Sequence, residues 1–255
     1  MKVGTHDVLL LVLDTLRYDV AVEALAAGQL PSLSKHIGQW EERHTPGSFT
    51  YAAHQAFFAG FLPTPARPGR HARLFATRFG GSETTTSTTH VFDTPDIVHG
   101  FEAAGYRTLC IGGVGFFNPE TPLGRALPGY FQESHWSPEM GVTGAESTRL
   151  QVELAVKRLG ELRERVFLFI NVSALHQPNK HYLAGAEVDS RTTHASALRY
   201  VDSQLTPLFD ALARRGPAFC IVCSDHGTCY DDDGFTGHRL AHPAVWTVPY
   251  AEFSL

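Results

Sequence analysis

Cysteine is scarce in this sequence, and its placement excludes the usual uses of the residue. Four occur among 255 residues: Cys110, Cys220, Cys223 and Cys229. Cys220 and Cys223 have CxxC spacing, but they fall inside an apolar run that reads as a strand, where side chains three apart leave on opposite faces. Neither a disulfide nor a shared zinc follows. Buried free thiols fit a reducing compartment, so a cytoplasmic protein is expected. Charge is thin as well, at 18% of residues, and its excess is acidic, with a formal net charge of −5. That leaves no basic footprint for nucleic acid. The first apolar run, residues 8–13, is too short to span a membrane and carries no cleavage site. No internal repeat and no second domain can be read, and the length suits a single α/β domain with an ample core.

Histidine, by contrast, is plentiful at 14 residues, which invites a search for metal ligands. The apolar pattern supplies the frame for that search. Residues 7–13, 106–111, 166–172 and 218–223 are short apolar runs of the kind buried on both faces of a parallel sheet. Residues 245–248 add one more strand, and residues 244–255 read as an edge strand suited to pairing. Helical patterning covers residues 19–28, 31–40, 51–59, 94–104, 146–164 and 193–214. Strands alternating with helices predict a doubly wound, mostly parallel sheet flanked by helices. Residues 61–92, rich in Pro, Gly, Arg and Thr, read as irregular surface chain with the makings of a lid, and residues 118–143 as loop. Gly112, Gly113 and Gly115 miss the dinucleotide fingerprint and read as a tight turn.

Three of the four clear strands run into Asp or His. The first ends at Asp14, the third leads to His176 and His181, and the fourth runs into Ser224-Asp225-His226-Gly227. Ligands of open α/β sheets gather outside the carboxyl ends of the strands. A carboxylate beside an imidazole there suits zinc or manganese. Thr50 falls at the N-cap of the 51–59 helix, where free N–H groups and the helix dipole favour an anion. Its hydroxyl can cap, or it can attack a phosphoryl group cradled at that helix end. Asp231-Asp-Asp233 reads as a solvated turn.

Three motifs resemble the alkaline phosphatase and sulfatase superfamily. Leu11-Val-Leu-Asp14-Thr-Leu-Arg-Tyr-Asp19 is similar to its opening strand, whose terminal Asp binds metal. Thr50-Tyr-Ala-Ala-His-Gln-Ala-Phe-Phe-Ala-Gly-Phe-Leu-Pro63 is similar to its nucleophile segment, which closes in Gly-x-x-Pro. Ser224-Asp-His-Gly227, followed by Gly237-His238, resembles its C-terminal metal motif. Weaker likenesses are Gly105-Tyr-Arg-Thr108, His176-Gln-Pro178 and Leu198-Arg-Tyr-Val-Asp202. The likeness is to a small stand-alone hydrolase branch with a Thr nucleophile.

The departures are informative. Thr50-Tyr-Ala-Ala-His54 stands where sulfatases carry Cys-x-Pro-Ser-Arg, which disfavours sulfate esters. Asp14-Thr15 replaces an Asp-Asp pair, Gly113 stands near an expected Lys, and Ala53 replaces the Asn of nucleotide pyrophosphatases. Set against the resemblance, 255 residues is short for the superfamily, and its usual C-terminal portion is not expected in this stretch.

The resemblance implies a metal-dependent hydrolase or transferase acting on a small-molecule phosphodiester or phosphomonoester through a phosphothreonine at Thr50. Its metal would be held by Asp14, Thr50, Asp225 and His226, with Zn or Mn suited to mixed oxygen and imidazole donors, as one ion or two. His176 and His238 would bind a second metal or touch the transferred group. His54 falls where sulfatases keep an Arg that contacts the nucleophile, and His181, Arg17 and Arg239 are candidate phosphate contacts. Sulfatase-like or phosphonate chemistry and a catalytically silent accessory role are the alternatives.

Overall fold

The apolar run Asp7–Leu13 is β1, the strand around which the sheet is laid. The computed structural model describes residues 3–60, 73–75, 78–82, 89–91 and 93–255. In chain order β2 is Glu41–His44, β3 Arg73–Phe75, β4 Thr89–Val91, β5 Arg107–Ile111, β6 Glu133–His135, β7 Val166–Val172 and β8 Ala218–Cys223. Three more follow: β9 Cys229–Asp232, β10 Phe235–Gly237 and β11 Thr247–Ser254. The helices are α1 Tyr18–Ala26, α2 Thr50–Ala59, α3 Ile97–Ala103, α4 Ser147–Glu161, α5 Arg191–Arg215 and α6 Pro243–Trp246.

Seven strands form one sheet in the order β2-β11-β8-β1-β7-β5-β6. β1 pairs in parallel with β7 and β8, β5 with β7 and β6, and only β11 runs against its neighbours. This is the expected mostly parallel sheet. Alternation along β1 divides the core. Leu9, Leu11 and Leu13 pack with α1, α4 and α5 through residues such as Val20, Val152 and Leu205. Val8 and Val12 face an aromatic layer of Phe58, Phe101, Phe117, Phe131, Phe167 and Phe169 beneath α2 and α3. Cys220 joins the first layer and Cys223 the second, so the CxxC pair is split across the sheet as its spacing requires. All four cysteines are free and buried. No helix among the described residues is long and apolar enough to cross a membrane.

Several elements differ from expectation. The 31–40 helix is a single 3-10 turn, Leu33–Lys35, because the Asp202 carboxylate takes the N–H groups of Ser32 and Leu33 at 2.9 and 2.8 Å. The chain then runs into β2, whose Glu-Glu-Arg-His sequence is wholly exposed and carries no apolar signal. β2 is the true edge, so β11 lies one strand inward and the C-terminal segment is not the free edge it was read to be. The 94–104 helix starts late, at Ile97, since Asp96 caps it by accepting the His99 N–H at 2.9 Å. Of the stretch read as irregular and as a lid, residues 61–72, 76, 77, 83–88 and 92 lie outside the described residues. Its described part contains a short parallel pair, β3 with β4.

Candidate active site

The strands that end in Asp or His are the three central ones, β8, β1 and β7, side by side. Register carries the consequence: Leu13 pairs with Val172, and Val12 with Cys223. The residues that follow, Asp14, Ser173 and Ser224-Asp225, therefore emerge together at one end of the sheet. Asp14, Thr50, Asp225 and His226 are all buried, with Thr50 2% exposed.

The cluster is made of acceptors. Among the described residues, Asp14, Asp225 and His226 each offer a ligand atom within 4.8 Å of the others. His226 donates through Nδ1 to the Gly227 carbonyl at 2.9 Å. A carbonyl only accepts, so that contact fixes the proton on Nδ1 and leaves a lone pair on Nε2. His226 Nε2 lies 3.4 Å from Asp225 Oδ2 and 3.4 Å from Thr50 Oγ1. Thr50 donates its hydroxyl to Asp14 Oδ2 at 3.3 Å. Asp14 Oδ1 and Asp225 Oδ2 are buried with no hydrogen-bond partner. Two unpartnered carboxylate oxygens facing an imidazole lone pair need protons or a cation.

The titration of the group says the same. Burial, and after it the nearby Asp225, pushes the Asp14 carboxyl up to about 6. Burial pushes Asp225 up to about 7, against the backbone N–H groups of Thr15 and His226 that it accepts at 3.1 and 3.0 Å. Burial also lowers His226, keeping it neutral. Oxygen and nitrogen donors in this number and burial fit a divalent cation such as zinc, with Thr50 Oγ1 close enough to join the set.

Local backbone explains how these atoms meet. Thr15 has φ 65, a left-handed conformation unfavourable to a β-branched residue, and it aims the Thr15 N–H at Asp225 Oδ1. Thr50 is the first residue of α2 rather than its cap: Phe49 takes the N-cap position, and no side chain caps the helix. The Thr50 hydroxyl thereby points at the cluster from the amino end of α2, where the helix dipole favours an anion. His54, one turn on, is fully buried and does not line the pocket above Thr50. Its Nδ1 lies 2.7 Å from the Thr50 carbonyl oxygen, its ring is surrounded by Phe57, Phe58, Phe117 and Phe169, and burial lowers it to about 3.

His176 and His238 are brought to the site. With Thr50 they line a cavity of about 300 Å³, and the His238 ring stands 4.6 Å from His226 and 5.4 Å from His176. Burial lowers His238 to about 3. The three candidate phosphate contacts go elsewhere. Arg17 is buried in ion pairs with Asp19 and Asp232, each at 2.7 Å, so Asp232 is bound rather than solvated as its turn suggested. His181 lies against Tyr182, away from the cavity. Arg239 lines a separate cleft beside Trp246.

Asn171 is the site residue that sequence reasoning passed over. Its Nδ2 donates to Asp14 Oδ2 at 2.9 Å, its Oδ1 accepts the Val114 N–H at 3.0 Å, and Gln151 donates to its carbonyl at 2.7 Å. The signal was present: one amide in an otherwise apolar run of seven residues. The backbone of β7 at this point also leaves no room for the missing Lys. A Cβ at Gly113 would collide with the Asn171 carbonyl oxygen and with Ser173 Cβ, so no side chain fits there.

No protein-family model matches this sequence, and no curated protein matches it. Solved structures do. The C-terminal periplasmic domain of phosphoethanolamine transferase EptC from Campylobacter jejuni is similar at a TM-score of 0.66 and 14% identity, over 98% of this chain and 80% of that one. The corresponding domain from Escherichia coli, solved as a complex with Zn, gives 0.65 and 13% over 98% and 73%. A protein in the alkaline phosphatase superfamily from Vibrio parahaemolyticus gives 0.59 and 17% over 97% and 60%. Likeness at such identities is likeness of fold, and this chain has the alkaline phosphatase-like fold of these structures.

Proposed function

We propose that the protein is a metal-dependent enzyme of phosphate esters that works through a covalent phosphothreonine at Thr50. One observation carries the reading. A hydroxyl on the first turn of a helix, lining a cavity, sits 3.3 Å from Asp14 Oδ2 and 3.4 Å from His226 Nε2, beside two orphaned carboxylate oxygens. Asp14, Asp225 and His226 would hold the cation, with Asn171 orienting Asp14 and the Thr15 N–H orienting Asp225. A divalent cation there would lower the hydroxyl pKa of Thr50 and offset phosphoryl charge.

The chain's own groups supply the rest. The amino end of α2, with its helix dipole, favours the charge of a non-bridging phosphoryl oxygen. Thr50 Oγ1, its proton passing to water, forms the bond to phosphorus as the bond to the departing alkoxide breaks, and the alkoxide takes a proton from water. Water or an acceptor alcohol then takes the phosphoryl group and restores the hydroxyl, giving hydrolysis or transfer. The similar domains from Campylobacter jejuni and Escherichia coli belong to phosphoethanolamine transferases, which supports phosphoryl transfer as the class. His176 and His238 contact the transferred group. Elemental analysis giving one ion per chain supports that role, and two ions per chain reassigns them as ligands. Four free, buried thiols support a reducing, cytoplasmic setting, which fractionation of the native host would check.

The deciding experiment is acid-quenched turnover followed by peptide mass analysis. A phosphoryl adduct on the peptide containing Thr50, together with loss of at least about a thousandfold in kcat for Thr50→Ala at unchanged metal content, is expected. A Thr50→Ala protein that retains turnover within about tenfold overturns the nucleophile.

A further inference from the structure

The cavity above Thr50 has walls of a definite chemistry. Besides Thr50, His176 and His238, its side chains are the apolar Val114, Phe116, Leu123 and Val142 and one further hydroxyl, Thr121. Phe116 belongs to a ring wall, 6.2 Å from Phe49 and 5.6 Å from Tyr51. Leu123 is 39% exposed at the rim, a large apolar side chain left open to solvent beside a polar reaction centre. Gly115 leaves room on this side, since a Cβ added there would meet nothing within 4 Å. At about 300 Å³ the space is at the small end of ligand sites, enough for a phosphoryl group and one ring or a short chain.

We infer that the alcohol portion of the ester seated in this cavity is hydrocarbon beyond its ester oxygen, an aryl or short alkyl group lying against Phe116, Leu123 and Val142. This rests on the phosphoryl-transfer reading of Thr50 and deepens it by naming the alcohol. A small polar or charged alcohol would desolvate against these four carbon side chains, and the Thr121 hydroxyl beside them is already engaged, donating to the Asn118 carbonyl oxygen at 3.4 Å and accepting the Gly124 N–H at 3.0 Å. A ring or chain would instead bury apolar surface against a preformed apolar wall. Each added methylene should then tighten binding by about fourfold until the space is full.

Phosphonates test this without turnover, because their carbon–phosphorus bond does not exchange. Isothermal titration of the metal-loaded full chain would use inorganic phosphate, then methyl-, propyl-, hexyl- and phenylphosphonate. Affinity should climb along the alkyl series by about fourfold per methylene in the wild type. Gly115→Val should abolish the climb while holding inorganic phosphate within about twofold, its side chain entering open space. Leu123→Ser, at an exposed rim position, should flatten the climb and serves if Gly115→Val does not fold. Equal affinities along the series, or a climb unchanged in both variants, overturn the inference and leave the Thr50 reading standing. Failure of inorganic phosphate and every phosphonate to bind overturns both.

Discussion

The two ends of β1 each bury a carboxylate, and they treat it in opposite ways. At the amino end Asp7 is fully buried and fully matched: it accepts from Arg215 Nε at 2.7 Å and from the Val166 N–H at 3.0 Å, with Arg165 at 3.6 Å. At the carboxyl end Asp14 is equally buried, yet one oxygen has no partner, and across from it Asp225 has an unpartnered oxygen too. A burial cost offset by a guanidinium fastens strands and helix together. The same cost left open marks a place where something else must supply the charge. Substitutions at the two ends should therefore separate stability from binding.

The largest expected effect is at Asp225. Asn in its place keeps the Oδ1 acceptor for the Thr15 and His226 N–H groups and turns the orphaned oxygen into an N–H₂ donor facing His226 Nε2, 3.4 Å away. Asp225→Asn should weaken zinc binding by about 100-fold or more and remove turnover, without lowering the melting temperature of the metal-free protein. Calorimetric titration and a thermal melt on the same sample decide this. A variant that melts well below wild type would show that the carboxylate belongs to the scaffold. Asp7→Ala should do the reverse. Removing it strands the Arg215 charge, and unfolding in urea should show a loss of about 3 kcal/mol. Zinc affinity measured where the variant is folded should stay at the wild-type value; a parallel loss would mean that the ends of β1 are coupled. Asn171→Leu is smaller. It frees Asp14 from its Nδ2 donor, and zinc affinity should fall by about tenfold. No change in affinity would leave Asn171 a strand residue only.

The same contrast explains what could be read in advance. The sheet was legible because parallel strands buried on both faces spell themselves in apolar letters, as β1, β7 and β8 do. β2 was not, since an exposed edge of Glu-Glu-Arg-His has no reason to be apolar. Asp14, Asp225 and His226 followed from strand-end placement, which is set by periodicity and breaker residues, while Thr50 was legible as a helix N-terminus and the four as one set only through the family resemblance. Asn171 stayed hidden because its role depends on register: only when Val12 is seen opposite Asn171 does that amide come within reach of Asp14. Arg17 was misplaced for a similar reason. The hairpin of β9 and β10 brings Asp232 to it from 215 residues away, a pairing no local pattern records.

The contrast is finest in its response to pH. In the metal-free protein Asp14 and Asp225 are raised to about 6 and about 7, from 3.8 for the free carboxyl. The native state therefore holds protons that the unfolded chain releases. Their contribution to stability is complete below pH 3.8 and is lost as pH rises through 6 and 7. His54, His194 and His238 oppose it: lowered from 6.5 to about 3, they contribute stability above pH 6.5 that is lost as pH falls toward 3. A single melting curve mixes the two, but the difference between Asp225→Asn and wild type cancels His194 and His238 and leaves, of the three, only His54, whose Nδ1 lies 3.8 Å from Asp225 Oδ2, able to respond to the substitution. That difference should be small near pH 4 and should grow in favour of the variant up to pH 8. Zinc should reverse it, because a cation holds both carboxylates ionised and ties its own binding to their deprotonation. Parallel curves from pH 4 to 8 without metal would mean that the carboxylates are already ionised and balanced in the native protein, and that the carboxyl end of β1 is as complete as the amino end.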